Sequence, residues 1–257
     1  MPHTQTLPQN RSNDDKVVIT GTVVGTLKDN FYTEGVAKNG MKYNRINFGV
    51  NVGTEEQPLT VYVELFGMER KSVYIHRPAG VGEHKGETKD IPWSSRNNVP
   101  SGYRLLGVGV GLTKDNDGKN VYSNMVEFDA NQKMAGLLKD GMGVRVNAKI
   151  DINRFVNKSG EAVTTVRYQI NSIGLFDTEA YSIPEPNWCQ NLIVTGIDRE
   201  DDGSKFDITV AKVGYNSLGY FTVYTKVERL STSIKKALKK GVFACNLWGV
   251  ISIEPIK

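Results

Sequence analysis

Tyr43 and Arg45 open one run of alternating residues, RINFGVNV (45 to 52), and Tyr62 and Phe66 close the next, LTVYVELF (59 to 66). Successive strand residues point to opposite faces, so Ile46, Phe48 and Val50 take one side of the first run and leave Tyr43, Arg45 and Asn47 on the other. In the second run Leu59, Val61, Val63 and Leu65 go inward and leave Tyr62, Glu64 and Phe66 outward. Solvent-facing rings can stack on unpaired bases, at roughly 1 to 3 kcal/mol per base, while neighbouring cations follow phosphates. The competing reading packs Tyr62 and Phe66 beneath the long segment that follows them.

A second group of cations and rings lies further along. Val144, Val146, Ala148, Ile150 and Ile152 alternate inward, which turns Arg145 and Lys149 outward, and Arg154 and Phe155 open a hairpin whose return strand carries Arg167. Val166, Tyr168 and Ile170 are expected inside. Read blandly, these cations keep a strand edge from pairing. Residues 70 to 104 hold seven Lys and Arg against three acids, interleaved with Tyr74, His76, Trp93 and Tyr103. Without evident periodicity, this stretch is expected to be a mobile arm that brings Arg77, Trp93 and Arg96 over a bound strand.

Catalytic patterns fail one by one. Gly107, Gly109 and Gly111 alternate with apolar residues and precede no helix, so they are not a dinucleotide fingerprint; backbone packing is the simpler reason for them. His76 and His84 with Glu83 and Glu87 lack cysteine partners, and Lys119 stands where a calcium loop needs an oxygen ligand. No Gly-x-Ser-x-Gly elbow occurs. A non-enzymatic protein without cofactor or metal is expected.

Composition sets the frame. The 257 residues are 39% hydrophobic and 23% charged, with a formal net charge of +4, which excludes fibrous and wholly disordered classes and permits an anionic partner. Two cysteines are too few for a disulfide framework, and neither a membrane-length apolar run nor a signal region is visible, so a cytoplasmic protein with no membrane partner is expected, in the host cytoplasm if the gene belongs to a phage.

The elements that must hold these residues are mainly strands. Asn39-Gly40, Asp117-Gly118, Ser159-Gly160 and Asp202-Gly203 separate alternating runs, as hairpin turns do. Strands are expected near 17 to 27, 42 to 52, 59 to 66, 103 to 112, 120 to 128, 143 to 154 and 163 to 175, then near 191 to 198, 205 to 213, 219 to 227 and 242 to 253. Helical spacing is confined to Asn131 to Lys139 and Ser231 to Lys240, each followed by a glycine and a strand. Both helices sit after three strands and before a fourth, the order of the five-stranded Greek-key OB barrel. The expected fold is therefore mainly β, two tandem OB-like barrels, the second complete or lacking its last strand. Its divisions are a flexible arm at 1 to 15, an OB-like domain at 16 to 177 with an insertion at 71 to 119, a linker at 178 to 190 rich in proline, and a smaller OB-like domain at 191 to 257.

Residues 132 to 177, QKMAGLLKDGMGVRVNAKIDINRFVNKSGEAVTTVRYQINSIGLFD, resemble the helix, fourth strand, hairpin and fifth strand of bacterial and phage single-stranded-DNA-binding proteins of the OB type. VVITGTVVGTL (17 to 27) and RINFGVNV are similar to their first two strands. The resemblance implies sequence-independent binding of single-stranded DNA, with RNA left open, in phage or plasmid replication or recombination alongside proteins of those processes. The acidic tail by which that family recruits partners is not matched here. The alternative is a virion-type assembly protein that uses the barrels for protein contacts.

Overall fold

The computed structural model describes residues 15–53, 59–80, 85–157, 159–213 and 218–252. Its chain runs β1 (Lys16–Val24), β2 (Tyr32–Val36), β3 (Lys42–Asn51), β4 (Thr60–Met68), β5 (Ser72–Arg77), β6 (Glu87–Pro92), β7 (Arg104–Leu105), β8 (Val108–Gly111), β9 (Ser123–Met125), α1 (Glu127–Leu137), β10 (Gly143–Val156), β11 (Ala162–Leu175), β12 (Asn187–Arg199), β13 (Phe206–Val213), β14 (Leu218–Thr225), α2 (Glu228–Leu238) and β15 (Phe243–Val250). Among the described residues no helix is long and apolar enough to cross a membrane. Two compact units form: one from the described residues of Val17–Lys149, Tyr168–Pro186 and Ile251–Lys257, the other from those of Met1–Lys16, Ile150–Arg167 and Asn187–Val250.

In the first unit β1 runs antiparallel to β10 on one side, with Ile19 opposite Val146, and to β3 on the other, with Val23 opposite Val50. β3 pairs antiparallel with β4 from Tyr43↔Met68 to Asn51↔Thr60, and β4 lies parallel to β11 at Val63↔Tyr168. Because β11 is also the neighbour of β10, the five strands close into a ring. This strand order, with a helix before the fourth barrel strand, is the OB topology expected above. Alternation fills the interior with Ile19, Val23, Ile46, Phe48, Val50, Val63, Val144, Val146 and Ile170, each essentially without solvent contact. Burial of side chains of this size stabilises by about 1.5 to 3 kcal/mol apiece.

α1 plugs one end of the barrel. It begins at Glu127, four residues before the expected start, because Phe128, Ala130, Asn131 and Met134 make up its buried side. Asn131 interrupts the apolar stripe, yet it is completely buried and fully used. Its amide donates to Asn44 Oδ1 at 2.9 Å and to the Leu65 carbonyl at 3.1 Å, while the Asn44 amide donates to the Phe128 carbonyl at 2.9 Å. The helix crosses β4 at Gly67, where any Cβ would collide with the Phe128 backbone.

The insertion is ordered, which corrects the expectation of a mobile arm. β5 pairs with β6 and β7, and Val73, Ile75 and Leu105 form a second small core with Val126 and Phe128. SVYIH (72–76) alternates as a strand should, but the charged loops on both sides conceal the pattern. The glycine-rich run packs against its own chain: a Cβ on Gly111 would lie 2.6 Å from the Tyr122 ring.

The second unit repeats the chain order without closing. β12, β13 and β14 are sequential antiparallel neighbours, α2 follows, and β15 returns to pair with β12 from Asn187↔Val250 to Val194↔Phe243. Leu192, Val194, Ile208, Val210 and Ile234 form its core. The expected linker at 178 to 190 ends early, since Asn187 to Gln190 already belong to β12. Lys212 on β13 is nearly buried, donating to Gln190 Oε1 at 2.6 Å and pairing with Asp15 at 3.0 Å. In this unit Val166 is exposed, contrary to its expected inward position.

The α1 plug makes a direct prediction. Asn131→Ala removes the donor that satisfies Asn44 Oδ1 and the Leu65 carbonyl, and the two acceptors remain buried. The expected loss is about 2 kcal/mol, read as a lower urea midpoint at unchanged slope.

Candidate nucleic-acid interface

The β3–β4 register assembles one outward face. Arg45 lies opposite Phe66, Asn47 opposite Glu64 and Gly49 opposite Tyr62. The Tyr43 ring stacks on Phe66, one diagonal step away, with centroids 5.9 Å apart at 30°. Gly49 places no side chain across from Tyr62, so that ring stands open, 55% exposed, and Phe66 is 46% exposed. Neither lies sealed beneath the insertion. Arg45 is half-exposed and bonds to Glu64 across the strands, which offsets part of its charge.

A cation that the sequence reading passed over joins this face. The Lys28 ammonium sits 5.6 Å from the centre of the Tyr62 ring. Its loop is tethered by Asp140, whose Oδ1 accepts the Thr26 backbone N–H at 2.8 Å. That hydrogen bond is the main cause of an Asp140 carboxyl held below its ordinary value. The tether is therefore intact above the unfolded carboxylate value and is lost only as pH falls through the lower folded one.

The other expected site residues separate into groups. Arg145 and Lys149 point outward from β10 while Val144, Val146 and Ala148 point in, as alternation requires. Phe155 is exposed and Arg167 half-buried, both within the second unit; the Arg154 side chain lies outside the described residues. Arg77 pairs with Glu87 at 3.0 Å, and it and Lys89 approach the Tyr103 ring at 5.2 and 4.1 Å. Trp93 meets Phe128 edge-on at 6.2 Å and packs on the insertion core. Arg96 lies 4.5 Å over the indole and donates to both oxygens of Asp129, at 2.7 and 3.2 Å. Trp93 and Arg96 thus fasten the insertion to α1, and the expected delivery of Trp93 by a mobile arm is corrected.

The YorF family matches this sequence over residues 80–255, well over half of the chain. The chain belongs to the YorF family. No curated protein matches it. Among solved structures it is similar to the single-stranded DNA binding protein from Thermus aquaticus, at 10% identity over 84% of this chain and 77% of that one, with a TM-score of 0.38. A deletion mutant of the same Thermus protein aligns at 11% identity over 85% and 78% of the two chains, also at 0.38. The small single-stranded DNA-binding protein from Streptomyces coelicolor aligns at 12% over 65% of this chain and 97% of its own, at 0.27. The OB assignment stands on strand order and register rather than on these scores.

The YorF match covers the second unit, where β14 carries a similar pair of rings. Tyr220 and Tyr224 stand four residues apart on the strand that precedes the helix, as Tyr62 and Phe66 do in the first unit. Tyr220 lies opposite Ala211 and is 46% exposed; the Lys205 ammonium lies 4.7 Å from the Tyr224 ring centre. YFTVY (220–224) alternates ring and aliphatic on both faces, so sequence leaves the core side undecided. Phe221 and Val223 pack against the core of Leu192, Val194 and Ile208. Tyr215, considered with them, lies outside the described residues, as do Glu83 and His84. Among the described residues no three His, Cys, Asp or Glu side chains come together as a metal-binding set.

Packing on Phe128 makes Trp93 a stability residue. Trp93→Ala is expected to lower unfolding free energy by about 2 kcal/mol, below the range for a fully buried indole, and to leave oligonucleotide affinity within twofold by fluorescence anisotropy.

Proposed function

We propose that this YorF-family protein binds single-stranded DNA with little sequence preference, serving replication or recombination of a phage or plasmid and making contact with the proteins of those processes. The reading is of a binding protein, with no catalytic step. One observation carries it: Tyr62 and Phe66 stand open on the outer face of a closed OB barrel, with Lys28 over one ring and Tyr43 stacked on the other.

Such a face suits unpaired bases for an elementary reason. Each base offers an aromatic surface to a ring whatever its identity, whereas duplex bases have that surface occupied by their neighbours. Tyr62 and Phe66 take successive bases, Tyr43 supports Phe66 from behind, and Lys28 and Arg45 lie beside the sugar-phosphate chain. Arg145 and Lys149 extend the cationic surface of the same barrel. Nothing on the face is arranged to read a 2′-hydroxyl, so RNA competes with DNA.

In a gel shift with dT30, its duplex and the RNA equivalent, the single strands are retained and the duplex is not. Tyr62→Ala with Phe66→Ala lowers dT30 affinity at least tenfold, in line with about 1 to 3 kcal/mol per stacked base, at unchanged thermal stability. Log affinity falls with log salt by about 0.7 per phosphate neutralised. Equal retention of duplex and single strand, or a double variant that binds normally, overturns the reading.

A further inference from the structure

The second unit is an OB-like barrel short of one strand. In the first unit β11 lies beside β10 and closes the ring against β4. In the second, β15 occupies the position of β10, pairs with β12, and among the described residues has no strand on its other side. The consequence is visible in its inward residues. Phe243, Cys245 and Leu247 are only half-buried, although Leu192 and Val194 directly across on β12 are fully buried. On the outward side Trp248 is 82% exposed, with Val250 and Asn246 exposed on the same face.

The composition of this edge is unusual. FACNLWGV (243–250) is eight residues long and contains no charged residue and no proline. Natural edge strands are kept from pairing by lysines, prolines, bulges or brevity, and β15 has none of these. Its outer N–H and C=O groups form a template for another strand.

We propose that β15 is the seam of a homodimer, in which β15 of a second copy pairs antiparallel with it across a two-fold axis. A two-fold axis lets one contact serve both chains, since each β15 then stands where the missing strand of the other barrel belongs. Charge favours this occupant. Two uncharged edges meet without placing like charges opposite one another, and the half-buried Phe243, Cys245 and Leu247 of each copy gain an apolar neighbour. The seam is independent of the Tyr62–Phe66 face, so loss of DNA binding and loss of dimerisation are separable outcomes.

Light scattering on the full chain at micromolar concentration is expected to give twice the chain mass. Trp248→Lys and Asn246→Lys both alter exposed side chains, so the fold is retained by circular dichroism, and each lowers dimer affinity by about tenfold or more through like charges brought together. Mixing Trp248→Lys with Trp248→Glu restores the dimer, which a merely misfolded variant does not do. Hydrogen exchange at the β15 amides slows as protein concentration rises. A wild-type chain that stays monomeric, a dimer indifferent to both lysines, or oppositely charged variants that fail to associate overturns the proposal. Dimerisation that persists in Tyr62→Ala/Phe66→Ala leaves it intact whatever that variant does to DNA.

Discussion

A five-stranded sheet that closes on itself has an inside just large enough for alternate side chains, and everything else in the first unit follows from that limit. Every second residue of β1, β3, β4 and β10 is committed to the interior, where Ile19, Ile46, Phe48, Val63 and Val146 leave no space for function. The intervening positions are released from packing. Tyr43, Arg45, Tyr62 and Phe66 stand together because closure fixes the β3–β4 register, and a one-residue slip would exchange them with Ile46 and Leu65.

Closure also creates ends. A barrel end exposes apolar side chains and backbone carbonyls, and α1 covers one of them with a polar contact at its centre, Asn131 against Asn44 and the Leu65 carbonyl. This arrangement has a geometric advantage over an apolar plug, because directed hydrogen bonds set the height and rotation of the helix on the barrel. The insertion exploits the same helix. Trp93 rests on Phe128 and Arg96 on Asp129, both in the first turn of α1, so the added sheet is anchored to the plug rather than to the binding strands. The β3–β4 face thereby stays uncovered by that anchor.

Alternation made the barrel strands legible, since a period of two in GVRVNAKI or INFGV has one structural reading. The doubled order of strands and helix was legible for the same reason. What escaped was decided by contacts distant in sequence. β2 and β6 read as polar, because their pairing to β3 and β5 rather than their own composition holds them in place. Asn131 marked a false helix start, since only its partners on β3 and β4 make an amide tolerable in a core. Lys28 belongs to the face through a loop tethered at Asp140, 114 positions away. Tyr220 and Tyr224 alternate with Phe221 and Val223, and two equally aromatic or aliphatic faces cannot be ranked without knowing which one meets Leu192.

The carboxylate on the β3–β4 face bears on how such a face attracts a strand. Glu64 holds Arg45, so the local charge between the rings is close to neutral, and Lys28 is the cation set against an open ring. Coulomb attraction at a partly exposed pair is weakened by solvent, whereas stacking depends on ring area and is indifferent to screening. The centre of the face therefore favours bases over phosphates, and the exposed Arg145 and Lys149 on β10 supply the cationic margin. The Arg45–Glu64 bond has a second effect: it fixes the guanidinium beside Phe66, where its plane adds to the aromatic surface instead of reaching for the nearest anion. A face of this composition holds nucleobases without regard to their order, because none of its contacts has to match a donor or acceptor on a base edge.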